Sequence, residues 1–146
     1  IIVERSIQDA LLERLLEKAK TLKLGDPALA DTQIGPVINR QAVEKILSYI
    51  KIGKAEGAKL LLGGAMAETG TAGYFVQPTL FANVLPAMRI AQEEIFGPVA
   101  SVIAVDSTEE AVQVANSVNY GLSSALYTRD VNKAFRIMRD LEAGIT

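Results

Sequence analysis

Residues 92 to 99 read Gln-Glu-Glu-Ile-Phe-Gly-Pro-Val, which sets two carboxylates, Glu93 and Glu94, and one aromatic ring, Phe96, just ahead of an apolar run. A carboxylate can accept hydrogen bonds from both hydroxyls of a ribose, which is why dinucleotide-binding folds place an acidic residue there. An exposed glutamate ahead of a strand and a core phenylalanine explain the same letters, since phenylalanine buries a large apolar area. On the residues alone these readings stand side by side. Gly97 permits close approach of the backbone, and Pro98 fixes φ before the run from Val99 to Val105.

Other chemistries are excluded by composition. The 146 residues contain no cysteine and no histidine. Disulfides, thiol or imidazole catalysis within this stretch and the usual zinc sites are therefore ruled out. The net charge is −2, with lysine and arginine scattered, so no basic stripe draws nucleic acid or anionic lipid. No apolar run is long enough to span a bilayer. With 49% apolar and 22% charged residues, the chain has the composition of one globular domain with a single sizeable core. No signal-peptide pattern opens it, so the expected location is cytoplasmic.

The elements that must position Glu93 to Phe96 follow from periodicity and caps. Ile1 to Glu4 reads as a short buried strand. Ser6 is placed to cap a helix whose stripe is Ile7, Ala10, Leu11, Leu15, Ala19 and Leu22, closed by Gly25-Asp26-Pro27. An irregular connection leads to a second helix over Arg40–Ala55, with Val43, Ile46, Leu47 and Ile50 inward and Gly57 at its end. Lys59 to Leu62 reads as a strand, 63 to 73 as a glycine-rich hairpin or loop, and Tyr74 to Val84 as extended, with Pro78 at an edge, bulge or strand start. Val99 to Val105 then reads as a strand, followed by a helix whose capping box is Ser107 and Glu110. Leu122 to Tyr127 reads as a further strand. Asp130 caps a last helix with Val131, Ala134, Phe135, Met138 and Leu141 inward, and another strand starts at Ile145. Strand–helix alternation of this kind predicts an α/β fold with a mostly parallel sheet and helices packed on it.

Residues 92 to 99 resemble the EEIFGPV signature of the NAD(P)-dependent aldehyde dehydrogenase superfamily. Gly25-Asp26-Pro27, Ile34-Gly35-Pro36-Val37-Ile38, Glu56-Gly57-Ala58, Gly63-Gly64, Gly73-Tyr74-Phe75-Val76-Gln77-Pro78-Thr79, Asn119-Tyr120-Gly121-Leu122 and Glu142-Ala143-Gly144 follow in that family's order. The resemblance covers essentially the whole chain and implies a catalytic-domain type of fold. It also implies that residues 1–146 are part of a longer enzyme. The cofactor-binding domain, the segment with the nucleophilic cysteine and the C-terminal oligomerisation strand would lie outside them.

What the resemblance implies for chemistry is oxidation of an aldehyde to a carboxylic acid with NAD or NADP. A cysteine thiolate attacks the carbonyl, hydride passes to nicotinamide and water releases the acyl group. In that scheme Glu94 holds the nicotinamide ribose, and Phe96 packs against the nicotinamide-ribose end of the cofactor. Lys45 matches a basic residue that approaches the cofactor in some relatives, but the glutamine those relatives carry three positions earlier is Ala42 here, with Gln41 one place off. A solvated helix lysine is the better reading of Lys45. Glu93 either orients its neighbours or is simply solvated. The expected partners are a small-molecule aldehyde and further copies of the chain, with neither nucleic acid nor membrane. The segment by itself is expected to be inactive. The alternative is a non-catalytic relative serving as an interaction or structural module.

Overall fold

The computed structural model describes all residues from Ile1 to Thr146. The chain opens with β1 (Ile2–Glu4), a 3-10 turn (Arg5–Ile7) and α1 (Gln8–Lys20). An irregular connection leads to α2 (Arg40–Ala55), β2 (Lys59–Leu62), β3 (Thr79–Ala82) and the short α3 (Arg89–Gln92). Then come β4 (Val99–Ser101), β5 (Ile103–Val105), α4 (Thr108–Ala115) and α5 (Val131–Asp140).

The strands form two small sheets, β1-β5 and β2-β3-β4, with two parallel pairings and one antiparallel one. β2 pairs antiparallel with β3, β3 pairs parallel with β4, and β1 pairs parallel with β5. The expected strand from Val99 to Val105 is broken at Val102, where the chain exchanges one partner for another. The Val102 N–H donates to the Phe81 carbonyl at 2.9 Å, and the Ile103 N–H donates to the Ile1 carbonyl at 2.9 Å. One path of chain thus joins β3 on one side to β1 on the other.

All four residues of β3 are buried. Successive strand side chains point to opposite faces. Leu80 accordingly packs with Val3 and Val102 under the α1 residues Leu11, Leu12, Leu15 and Leu16. Phe81 packs in the larger cluster with Val43, Ile46 and Ile50 of α2 and with Ile90, Ile95 and Ile103. Helices therefore cover both faces, as an α/β fold requires. The bounds of α2 and β2 are those the periodicity predicts, and Gly57, at φ 97°, ends α2 in the left-handed conformation that favours glycine. Pro78 stands immediately before β3, where a missing N–H costs the ladder nothing.

Some expectations need correction. Ser6 caps nothing: the 3-10 turn precedes α1, whose first turn has no side-chain cap, and Ile7 is exposed. Leu122 to Tyr127 forms no strand, only an isolated parallel bridge between Ser123 and Ile145, with Leu122 and Tyr127 exposed. A strand needs a neighbour along its length to pair its backbone, and here only the stretch at Gly144 and Ile145 bonds to it. The two caps of the last third hold: Ser107 Oγ accepts from the Glu110 N–H at 3.0 Å, and Asp130 Oδ1 accepts from the N–H groups of Asn132 and Lys133. The inward face of α5 does not. Val131, Phe135 and Met138 are exposed, and Ile137 is its only buried residue. Ala134 and Leu141 of the predicted stripe are half-buried, but its larger side chains are left uncovered by residues 1–146.

Candidate functional site

The segment that carries Glu93, Glu94 and Phe96 leaves the C-terminal end of α3. Glu56, just past the end of α2, starts that helix by accepting from the Arg89 N–H at 3.0 Å. Gln92 ties its last turn to the Pro86 carbonyl at 2.7 Å. Glu93 ends the helix in an extended conformation, φ −115° and ψ 146°. From there the side chains divide by side. Ile95 is buried with Ile46 and Ile50 of α2, while Glu94 and Phe96 are exposed. Phe96 sits in the left-handed region at φ 56°, unusual for a bulky residue, and is 79% exposed. The strain is not compensated by burial of the ring, which turns its face outward.

Gly97 follows because the turn lies hard against α2. A Cβ there would stand 2.5 Å from Ile46 Cδ1 and 2.7 Å from Ile46 Cγ1. The open cleft in front of the turn holds about 600 Å³ and is lined by Glu94, Phe96 and Gly97, by Ala100 of β4 and by Val114 and Val118. Glu94 joins none of the ion pairs within the chain, so both of its carboxylate oxygens are free to accept.

Glu93, in contrast, is held from two sides. Arg89 Nε and Nη2 donate to its two oxygens at 2.7 and 2.9 Å, and the Tyr49 hydroxyl donates at 2.5 Å. The Arg89 guanidinium, then the Tyr49 hydroxyl, hold the Glu93 carboxyl down at about 2. The bond to Glu93 in turn pushes the Tyr49 phenol above its ordinary value. Two cations approach the Tyr49 ring, Arg89 Cζ at 5.5 Å and Lys45 Nζ at 5.8 Å from its centroid.

The structure thus brings Glu94 and Phe96 together at one cleft and sets Lys45 elsewhere, over Tyr49 and outside the cleft lining. Arg89 and Tyr49 did not emerge from the sequence as site residues. The spacing of Arg89 and Glu93, an i,i+4 pair of opposite charge, was a signal for the first of them. The bond from Tyr49 spans 44 positions and leaves no local mark.

The model of the aldehyde dehydrogenase family matches residues 1–146. The chain belongs to the aldehyde dehydrogenase family. It is 45% identical over 145 residues to a betaine aldehyde dehydrogenase of Sinorhizobium fredii, and 46% identical over 144 residues to aldehyde dehydrogenase 1A1 of Gallus gallus. In each case 99% of this chain aligns, to 30% and 28% of the relative respectively. Among solved structures, a betaine aldehyde dehydrogenase from Staphylococcus aureus in complex with NAD+ superposes with a TM-score of 0.96 at 40% identity. That match covers 99% of this chain and 29% of the other. An indole-3-acetaldehyde dehydrogenase in complex with NAD+ superposes with a TM-score of 0.94 at 45% identity over the same shares of the two chains. The chain therefore spans about 30% of the length of the curated relatives it matches. The α/β fold expected from the sequence is that of aldehyde dehydrogenases.

Proposed function

We propose that this segment serves an NAD(P)-dependent aldehyde dehydrogenase that oxidises an aldehyde to a carboxylic acid, and that its share of the reaction is to position the nicotinamide ribose. The observation that carries this reading is Glu94. Its carboxylate is exposed, has no partner in the chain and lines an open cleft beside the outward-facing ring of Phe96. Two acceptor oxygens suit two vicinal hydroxyls, and the ring offers an apolar face to the flat end of a dinucleotide, so these residues fit the cofactor. Bound there, nicotinamide supplies the hydride acceptor. Glu94 would hold the ribose and Phe96 would limit its tilt. Fixing reacting groups in line contributes several kcal/mol to a barrier, on the order of 7–11 in the best intramolecular cases.

The remaining parts of the reading concern the whole protein. The cofactor-binding domain, the segment with the nucleophilic cysteine and an oligomerisation strand are proposed to lie in the part of the relatives' length that residues 1–146 do not cover. The segment alone is proposed to be inactive and to bind NAD+ negligibly, because one ribose contact and one ring face do not offset the entropy lost on binding. The working form is proposed to be a homo-oligomer, and the exposed apolar side chains of α5 call for cover from outside residues 1–146. The substrate is proposed to be a small aldehyde and the location cytoplasmic, without a nucleic-acid or membrane partner; no helix is long and apolar enough to cross a membrane.

The test is Glu94→Gln in the full-length protein. A carboxylate accepts more strongly than an amide, so hydride transfer or cofactor affinity should fall roughly five- to thirtyfold with the fold intact. Stopped-flow traces and NAD+ titrations indistinguishable from wild type would remove Glu94 from the site.

A further inference from the structure

Glu93 and Glu94 both border the cleft, but only the Glu93 carboxylate is taken up by partners within the chain. Glu93 accepts from Arg89 through both oxygens and from Tyr49 as well. Its neighbour Glu94 has no partner in the chain. Glu93 is extended, and successive side chains of extended backbone point to opposite sides. Fixing Glu93 towards α2 therefore turns Glu94 away from α2. Ile95, buried against Ile46 and Ile50, fixes the same stretch of backbone one residue beyond Glu94. Glu94 is thus strung between two anchors while its own carboxylate stays free.

We propose that Tyr49 and Arg89 are positioning residues that act through Glu93 to hold the Glu94 carboxylate where it meets the cofactor ribose. The clamp joins the middle of α2 to the end of α3, so it ties the turn to the helix that supplies Val43, Ile46 and Ile50 to the main core cluster. Lys45 stands beside the clamp as the second cation near the Tyr49 ring, 5.8 Å from its centroid. The inference rests on the reading of Glu94 as the ribose acceptor, and its test separates the two.

The experiment is a double-mutant cycle in the full-length protein, read as the dissociation constant for NAD+ and NADH and as KM against kcat. The variants are Tyr49→Phe, Arg89→Met and Glu94→Gln, singly and with each of the first two combined with the third. Exposed charge-assisted contacts are modest, so Tyr49→Phe and Arg89→Met should each raise the dissociation constant and KM for the cofactor by about two- to fivefold. In the Glu94→Gln background neither should change it further. A merely structural role would weaken binding by the same factor in both backgrounds, and that result would overturn the proposal. Unchanged affinity in both single variants, beside a weakened Glu94→Gln, would overturn it too. An inert Glu94→Gln would instead remove the ribose reading on which it rests. Tyr49→Phe deletes one oxygen and preserves the ring, so it carries the test even where Arg89→Met does not fold.

Discussion

Gly97→Ala is the most sharply defined perturbation of the site. The new methyl carbon would lie 2.5 Å from Ile46 Cδ1 and 2.7 Å from Ile46 Cγ1. Carbon atoms prefer about 3.5–4.0 Å, so the intrusion is about 1 Å at two atoms. Ile46 is fully buried in the main core cluster, so its side chain has no free volume to enter. Either α2 shifts or the turn carrying Glu94 and Phe96 lifts. Overpacking of a dense core costs about 1–3 kcal/mol, and that is the expected loss. It is measured by urea unfolding followed by far-ultraviolet circular dichroism. Ile46→Val removes Cδ1, the closer of the two atoms, at a cost of about 0.5–1.5 kcal/mol by itself. In that background Gly97→Ala should cost less by about 1 kcal/mol, the coupling expected of residues in direct contact. A loss below about 0.5 kcal/mol, the range of ordinary surface substitutions, or strict additivity of the two changes would refute the close-approach argument.

Phe96→Gly removes a left-handed residue that costs about 1–2 kcal/mol, against about 0.5–1 kcal/mol of extra chain entropy. Stability should stay level or rise by up to about 1 kcal/mol while cofactor affinity falls; a marked loss of stability would show that the ring packs on the fold. Ser107→Ala should destabilise by about 1 kcal/mol through loss of the α4 cap, measurable as a lowered urea midpoint at unchanged slope. The Glu93 carboxyl is lowered from 4.5 to about 2, so its stabilising bonds are fully present above its ordinary value and are lost as pH falls towards the lower one. The stability gap between wild type and Glu93→Gln should hold constant from pH 8 to about 5 and shrink below that. A gap that is widest at acid pH would contradict the clamp.

The sequence by itself determined the family, the fold class and the local elements. Helix α2, the strand from Lys59, the Ser107 and Asp130 caps and the stop at Gly57 are set by neighbours within a turn or two, and such signals survive in one chain read alone. Glu94 and Phe96 stood out as candidates for a different reason: their motif is contiguous. Tertiary structure alone decided three things. It broke the Val99–Val105 strand at Val102, because the chain there must bond β3 on one side and β1 on the other. It left Leu122–Tyr127 with a single bridge and the larger side chains of the α5 stripe exposed, because periodicity shows which face seeks a partner but not whether residues 1–146 contain one. It also added Tyr49 to the Arg89–Glu93 pair across 44 positions, a contact created by packing α2 against α3 and invisible to any short-range pattern.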